Sequence, residues 1–168
     1  ATFAGICQSI IAYNGATSSK VFVAVSGASK SIIDASGGGA ISTAVVGGSG
    51  PTVQAITNCR YDYVNFGTVG GKFLTLVNGA DVPLQYDGTT WSASTMTGGT
   101  PANFFTVASY AERLWFGVKN SLRVRYLPVS SITGATTELN LESLFALGGT
   151  LNSIITVTDA TFSLTDYI

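Results

Sequence analysis

Three segments of the chain have the pattern of a β-hairpin, and their recurrence limits most strongly how this chain can fold. They span 20–34, 72–87 and 113–126. The first arm of each is rich in β-branched and aromatic residues, which pleated and half-buried strands favour. The second hairpin contains Asn78-Gly79, a dipeptide typical of tight hairpin turns because both residues tolerate a positive φ. The pattern predicts an antiparallel β fold.

A further candidate strand precedes each hairpin, so the hairpins belong to longer units. These strands are expected at 8–13, 60–66 and 103–110, with a fourth at 151–158 followed by a segment at 162–168. Units of roughly 40 to 50 residues that hold several antiparallel strands are typical of propeller blades. We therefore predict an all-β protein with β-propeller-like tandem antiparallel blades.

The predicted units cover the chain as one β-rich domain or propeller segment. Their approximate bounds are 6–58, 59–102, 103–149 and, for a partial fourth unit, 150–168. An exposed strand edge is usually covered in complete domains, so we expect the chain to be part of a larger polypeptide. A small independent sandwich is the alternative. The stretch 138–147 is expected to be either a short helical turn or a loop.

The composition excludes several classes of protein. Charged residues make up 10% of the 168, against roughly 25% in typical globular domains. The formal net charge of −1 gives no global field to recruit nucleic acid or an anionic membrane, and the lack of histidine excludes histidine-based catalysis. No apolar run reaches the length of a membrane-spanning helix. Cys7 and Cys59 are expected to be buried free thiols, with a disulfide as the alternative.

No pattern of catalytic, cofactor-binding or metal-binding residues is evident, and we expect the chain not to be an enzyme. A glycosidase needs two paired carboxylates, and those present form no recognisable pair. The carboxylates considered are Asp62, Asp81, Asp87, Glu112, Glu138, Glu142, Asp159 and Asp166. The glycine-rich stretches 37–39 and 47–50 lack the ending of a phosphate-binding loop.

One small basic cluster is a candidate interaction surface. It consists of Lys119, Arg123 and Arg125 on the third hairpin. Arg123 and Arg125 are two residues apart in a predicted strand, so their charges project from the same face. The cluster is suited to DNA phosphates or to an acidic subunit surface, and a solvated outer face is the alternative.

The expected core and turn residues follow from the hairpins. The side chains predicted to point inward are Phe22, Val23, Phe73, Leu74, Leu76, Trp115 and Phe116. The turns are assigned to Asn78, Gly79, Asp87 and Gly88. The segment 86–91, which contains Asp87, Thr89 and Trp91, is predicted to stabilise a turn rather than to act in catalysis.

From residue 60 onward the chain resembles a known family. The likeness is carried by 63–66, 77–91, 113–116 and 119–123, and then by Tyr126-Leu127-Pro128 and by Leu144-Phe145 before Gly148-Gly149. These motifs resemble structural tail proteins, of the nozzle or hub type, of short-tailed bacteriophages and related prophages. The segment 151–158 departs from that pattern because it is smaller and richer in threonine.

The resemblance implies a structural role in a virion. Such a protein would form a homo-oligomeric ring in the tail, line part of the genome-ejection conduit and contact other tail and portal-adaptor proteins, with transient passage of viral DNA. Its expected location is the virion tail, assembled in the bacterial host cytoplasm. The alternative is a glycan- or receptor-binding, lectin-like propeller module in which Tyr13, Tyr110 and Trp91 stack on sugars.

Overall fold

The strands in the described part of the chain form three four-stranded sheets, each built from consecutive strands. A computed structural model describes residues 5–37, 44–48, 53–145 and 147–156. Sheet I contains β1 (Gly5–Asn14), β2 (Ser19–Gly27), β3 (Ser31–Asp34) and β4 (Ala44–Gly47). Sheet II contains β5 (Asp62–Thr68), β6 (Gly71–Val77), β7 (Leu84–Tyr86) and β8 (Trp91–Ala93). Sheet III contains β9 (Phe104–Tyr110), β10 (Arg113–Val118), β11 (Arg123–Tyr126) and β12 (Thr137–Asn140).

All neighbouring strands within a sheet are antiparallel, and the prediction of an all-β antiparallel fold is confirmed. Each sheet begins with the strand that was expected upstream of a hairpin, and the hairpin supplies its next two strands. Short 3-10 turns lie at Pro101–Asn103 and Glu142–Leu144. Within the described residues, no helix has the length and apolar character needed to cross a membrane.

Asn78 and Gly79 lie in the connection between β6 and β7, where the turn was predicted, but this connection spans 78–83 and is not a tight hairpin turn. The ladder between β6 and β7 ends at the pair Leu76 and Leu84, which leaves a longer loop between the strands. Gly79 instead has a φ of 68° and donates its N–H to the carbonyl of Phe104 in sheet III, 2.8 Å away. A Cβ at Gly79 would lie 2.8 Å from the side chain of Phe105, so this glycine permits a close approach between two sheets.

The last strand of each sheet was not predicted. β4, β8 and β12 have three or four residues, and they lie where the sequence indicated connections, a turn or a helical segment. In the stretch 138–147, the 3-10 turn Glu142–Leu144 confirms the expected short helical turn. The beginning of this stretch belongs instead to β12. Strands this short have little hydrophobic periodicity of their own, so pairing with the preceding strand decides their conformation.

A first core lies between sheets I and II. It is formed because alternate side chains on each sheet point toward the other sheet. Its buried members are Ile11, Tyr13, Phe22, Ala24, Ile32 and Val46 from sheet I, Leu74, Leu76, Leu84 and Tyr86 from sheet II, and Ile56 and Cys59 from the connection. The aromatic rings pack edge to face, with the Phe22 and Trp91 centroids 4.9 Å apart.

A second core lies between sheets II and III, on the other side of sheet II. Its buried members are Phe66, Val77, Met96, Phe104, Val107, Leu114, Phe116 and Leu127. The rings of Phe104 and Phe116 are stacked with centroids 4.9 Å apart. Sheet II is therefore covered on both faces, which explains why β6 and β7 contain long buried runs rather than a clean alternation.

Four of the seven predicted inward side chains are fully buried, and three are not. Phe22, Leu74, Leu76 and Phe116 have at most 1% of their surface exposed, whereas Val23, Phe73 and Trp115 are only partly buried. Each incorrect assignment was adjacent in sequence to a correct one. Successive strand residues point to opposite faces, so both members of such a pair cannot face the same core.

The two cysteines have different environments, and the expectation that both are buried is wrong for Cys7. Both are free thiols, with Cys7 exposed and Cys59 buried. The Cys59 thiol contacts the carbonyl oxygen of Val25 at 3.2 Å. The strand predicted at 151–158 is not formed in its described part, because 151–156 have an irregular conformation. Its last two residues and the segment 162–168 lie outside the described residues.

Candidate functional site

A similar hydrogen bond occurs at the two junctions between sheets and at the contact between sheet III and the segment 151–156. In each, a polar side chain on the first strand of one sheet accepts a backbone N–H from the next unit of the chain. The pairs are Tyr61 N–H to Ser9 Oγ (2.8 Å), Val107 N–H to Asp62 Oδ2 (3.0 Å) and Ile154 N–H to Thr106 Oγ1 (3.3 Å). They span 52, 45 and 48 residues of sequence. A similar sequence span at each junction indicates that the units follow one another by a similar step.

The three accepting side chains occupy the same face of their sheets. Ser9 pairs with Ala24 of the first core, and Thr106 pairs with Gly117 on the opposite side of β10 from Phe116. Asp62 is opposite Val77 of the second core. Each acceptor therefore points toward the unit that follows it in sequence. The junctions repeat in direction as well as in spacing.

Thr106 connects two junctions at once. Its hydroxyl donates to Asp62 Oδ2 over 2.7 Å and accepts the N–H of Ile154. Only 3% of Thr106 is exposed. A threonine hydroxyl supplies both a donor and an acceptor, so this side chain links sheet II, sheet III and the segment 151–156.

The junction between sheets I and II has a second polar link through Asn65. Its side-chain amide donates to the carbonyl of Ala12, and its Oδ1 accepts the N–H of Asn14, both at 2.9 Å. Through these two bonds, the Asn65 side chain on β5 binds the backbone of β1 in sheet I. Because hydrogen bonds have fixed directions, they hold the relative register of the sheets more specifically than apolar packing does.

Asp81 is a buried carboxylate that orders the entry to sheet II. Its oxygens accept the N–H and the hydroxyl of Thr57 and the side-chain amide of Asn78, the first at 2.9 Å and the last at 2.7 Å. Asn78 in turn accepts the N–H of Asp81 and donates to the carbonyl of Asn58. This set of bonds is structural, since the donors to Asp81 come from its own loop (Asn78) and from the connection that precedes β5 (Thr57).

The turn at Asp87 has the structural role that the sequence predicted. The carboxylate accepts the backbone N–H groups and the hydroxyls of both Thr89 and Thr90, all at 2.7 Å. The Thr90 N–H is the largest of the influences that hold the pKa of Asp87 well below its ordinary value. Trp91 follows the turn and packs against Tyr86, with centroids 5.0 Å apart.

The predicted basic cluster is partly neutralised by its neighbours. Arg125 pairs with Glu138, while Arg123 lies 3.8 Å from Glu138 and 3.1 Å from Glu142. Lys119 donates to a backbone carbonyl in the loop between β6 and β7. Arg123 and Arg125 do share one side of β11, but their charge is matched by carboxylates on and beside β12. Their role as an interaction surface stays a prediction.

The aromatic residues considered for sugar stacking are not all accessible. Tyr13 is 4% exposed, and Trp91 is half-buried against the first core, so these two placements contradict the expectation. Tyr110 is 63% exposed. Its neighbour Trp115 donates its indole N–H to the Tyr110 carbonyl over 3.0 Å.

Five of the carboxylates considered have structural partners. Asp62, Asp81 and Asp87 bind backbone and hydroxyl groups, and Glu138 and Glu142 pair with arginines. Two further carboxylates that the sequence offered, at positions 159 and 166, lie outside the described residues. Across the described part of the chain, no group of three or more potential ligands is placed to hold a metal ion.

The repeated junction was missed in the sequence because its signal is weak. Serine, aspartate and threonine at the three positions share only an acceptor oxygen, and they are not at equal spacing. Comparisons of the chain with protein-family models, with curated proteins and with solved structures found no match. The repeated hydrogen bonds are suited to joining sheets, because the side chains of Ser9, Asp62 and Thr106 bind the backbone of the segment that follows.

Proposed function

We propose that the three sheets are consecutive blades of a β-propeller whose role is structural rather than enzymatic. The observation that carries the proposal is the repeated hydrogen bond in which Ser9, Asp62 and Thr106 each accept a backbone N–H from the segment that follows. In a propeller, four-stranded sheets are arranged radially around a central axis, so each sheet meets the next through the same pair of faces.

The packing of the first strands supports this arrangement. β5 contacts both β1 and β9, so the first strands of the three sheets are neighbours along one side of the stack. Sheet I packs on one face of sheet II, and sheet III packs on the other. Radial sheets with adjacent first strands have this order, whereas a two-layer sandwich does not place a sheet between two others.

We propose further that this propeller belongs to the tail of a short-tailed bacteriophage or related prophage, as a nozzle- or hub-type component. The support is the resemblance carried by the motifs from residue 60 onward, together with an apolar and charge-poor chain. Permanent subunit contacts resemble a domain core cut in half, and they favour such a composition. The proposed partners are further copies in a ring and neighbouring tail and portal-adaptor proteins, with viral DNA passing through the ring.

Electron microscopy of particles from a strain that encodes the chain tests the proposed role. An antibody raised against the purified protein would be coupled to gold and applied to gradient-purified particles. We expect the label at the end of the tail distant from the head, and co-sedimentation of the protein with DNA-containing particles. Recovery of the protein only in particle-free fractions would contradict a role in the virion.

A further inference from the structure

We infer that two copies of this chain close one propeller together, with the open face of sheet III of each copy packed on the outer face of sheet I of the other. The described part of the chain contains three four-stranded sheets, whereas closed propellers typically have about four to eight. Two copies with three sheets each provide six. The inference rests on the proposed propeller and deepens it, because it names the partner and the two surfaces that meet.

The outer face of sheet I points away from sheet II and is apolar. It consists of Ile10 and Ala12 on β1 and of Val23 and Val21, which pair with them on β2. Ile10 is 67% and Val21 is 41% exposed. In sheets II and III, the corresponding face packs against the preceding sheet in the two cores. Among the described residues, no sheet precedes sheet I to cover this face.

The open face of sheet III is the complementary surface. Trp115 lies two residues before the strand partner of Thr106, as Phe22 lies two residues before the strand partner of Ser9. Phe22 is buried in the first core, where it contacts the next sheet. Trp115 instead lines a groove of about 310 Å³ with the exposed Tyr110. A contiguous apolar face of this kind indicates a contact surface, and its position continues the junctions already present in the molecule.

The segment 151–156 lies across part of this surface and has to move aside when the second copy docks. Thr106 is the junction acceptor of sheet III, and the N–H of Ile154 occupies it over 3.3 Å. Leu151 donates its N–H to the Ser121 carbonyl, and its Cδ2 lies 2.7 Å from the position that a Cβ on Gly117 would take. The segment itself forms no strand. A few contacts therefore hold it on sheet III.

The connection before this segment allows the movement. Gly148 and Gly149 have φ values of 69° and 134°, and a Cβ at either would meet no described atom within 4 Å. Leu147 is fully exposed. Segments with few buried contacts open at a low cost in free energy. We therefore expect an equilibrium between a closed monomer and an open form that dimerises, so the dissociation constant of the dimer depends on the open fraction.

Sedimentation of the full chain over a range of concentrations tests the inference. Leu151→Asn removes the side chain that lies against Gly117, and the larger open fraction should lower the dissociation constant of the dimer about tenfold. Leu147→Asn is the matched control, because it makes the same change at an exposed leucine, and it should leave the dissociation constant unchanged. Equal dissociation constants in the parent and both variants would overturn the inference.

A second pair of variants tests the surface on sheet I. In the Leu151→Asn background, Ile10→Asp places a buried charge in the proposed contact and should abolish dimerisation. Val69→Asp is its control, because Val69 is a fully exposed valine in the turn between β5 and β6, and this protein should still dimerise. An unreactive Cys59 thiol verifies that sheets I and II remain folded in each variant.

Three further results would contradict the inference. The Leu151→Asn protein could remain monomeric at every concentration, or its dimer could survive Ile10→Asp. It could also form polymers that grow with concentration, because a head-to-tail contact that does not close after two copies continues into a filament.

These results are distinguishable from a failure of the proposed function. A protein that labels the phage tail can still remain monomeric after purification. Conversely, a protein that dimerises through these two surfaces can be absent from particles.

Discussion

At the scale of single residues, the side of the strand from which a side chain projects decides how much it contributes to stability. Phe22 and Val21 are adjacent in β2, yet 1% of Phe22 and 41% of Val21 is exposed. Phe22 contacts the rings of Tyr86 and Trp91 across the first core. Its neighbour projects from the opposite face of sheet I, where it lacks such contacts.

The Phe22→Ala substitution should therefore lower the free energy of unfolding by about 3–5 kcal/mol, as is typical for a buried phenylalanine. The matched Val21→Ala variant should lose about 1 kcal/mol or less, because most of the effect of a core truncation comes from burial. Urea denaturation of both variants measures the difference. Equal losses would show that the face assignment of β2 is incorrect.

Asp87 gives the turn before β8 a dependence on pH. Its folded pKa is lowered, so the charged form is the one that folding stabilises. That contribution is complete above the ordinary aspartate pKa of about 3.9 and declines as the pH falls below it toward the folded pKa. The side chain is exposed, so solvent screens the effect and its size is modest.

An Asp87→Asn variant should be less stable than the parent at pH 7, because an amide nitrogen cannot accept the hydrogen bonds of the turn. The gap between the two proteins should narrow as the pH falls below about 4, since only the parent loses a favourable charge there. Urea unfolding at a series of pH values measures the gap. A gap that is constant down to pH 2 would contradict this assignment.

At the scale of elements, some strands are determined by their local hydrophobic pattern and others by pairing with a neighbouring strand. The first three strands of each sheet have hydrophobic patterns and turns within one short segment, and all nine were expected from the sequence. β4, β8 and β12 have too few residues for such a pattern. β12 is an exposed edge strand, and Glu138 on it pairs with Arg125, which places charge on an edge that would otherwise favour aggregation.

The link between sheets II and III should depend on Asp62. Asp62→Ala removes the acceptor for Thr106 and for the N–H of Val107, and we expect a loss of about 1.5–3 kcal/mol. Asp62→Asn retains one acceptor oxygen and should lose less. Amide hydrogen exchange should accelerate at Val107 and remain unchanged at Ile32 in sheet I. Acceleration of the same size at both amides would indicate global destabilisation and not a broken junction.

At the scale of the whole molecule, the stacking of sheets determines which parts of the chain solvent reaches. Cys59 lies in the connection that enters sheet II and is buried in the first core, and this burial raises the pKa of its thiol. Cys7 lies on β1 and is exposed. Only the thiolate reacts readily, so both accessibility and pKa protect Cys59.

A thiol reagent such as Ellman's reagent should therefore modify one cysteine in the folded protein and the second only on unfolding. In a Cys7→Ser variant, the remaining Cys59 thiol should not react while the protein stays folded. Its modification should occur only as fast as the core between sheets I and II opens. A Cys59→Ser variant is the control and should react at once. Rapid modification of both thiols under native conditions would rule out the packing described for the first core.

The sequence by itself determined the fold class, the nine strands with strong patterns and the structural role of the Asp87 turn. These features depend on alternation, β propensity and turn chemistry over a few residues, and all of these are local. The tertiary structure alone decided which of two adjacent strand residues entered a core, as between Trp115 and Phe116. It also decided the loop at Gly79 and the use of Ser9, Asp62 and Thr106 as links between units. The loop at Gly79 and the three links depend on partners 25 to 52 residues away in sequence. The energies of such contacts are set by packing and hydrogen-bond geometry that no local pattern encodes.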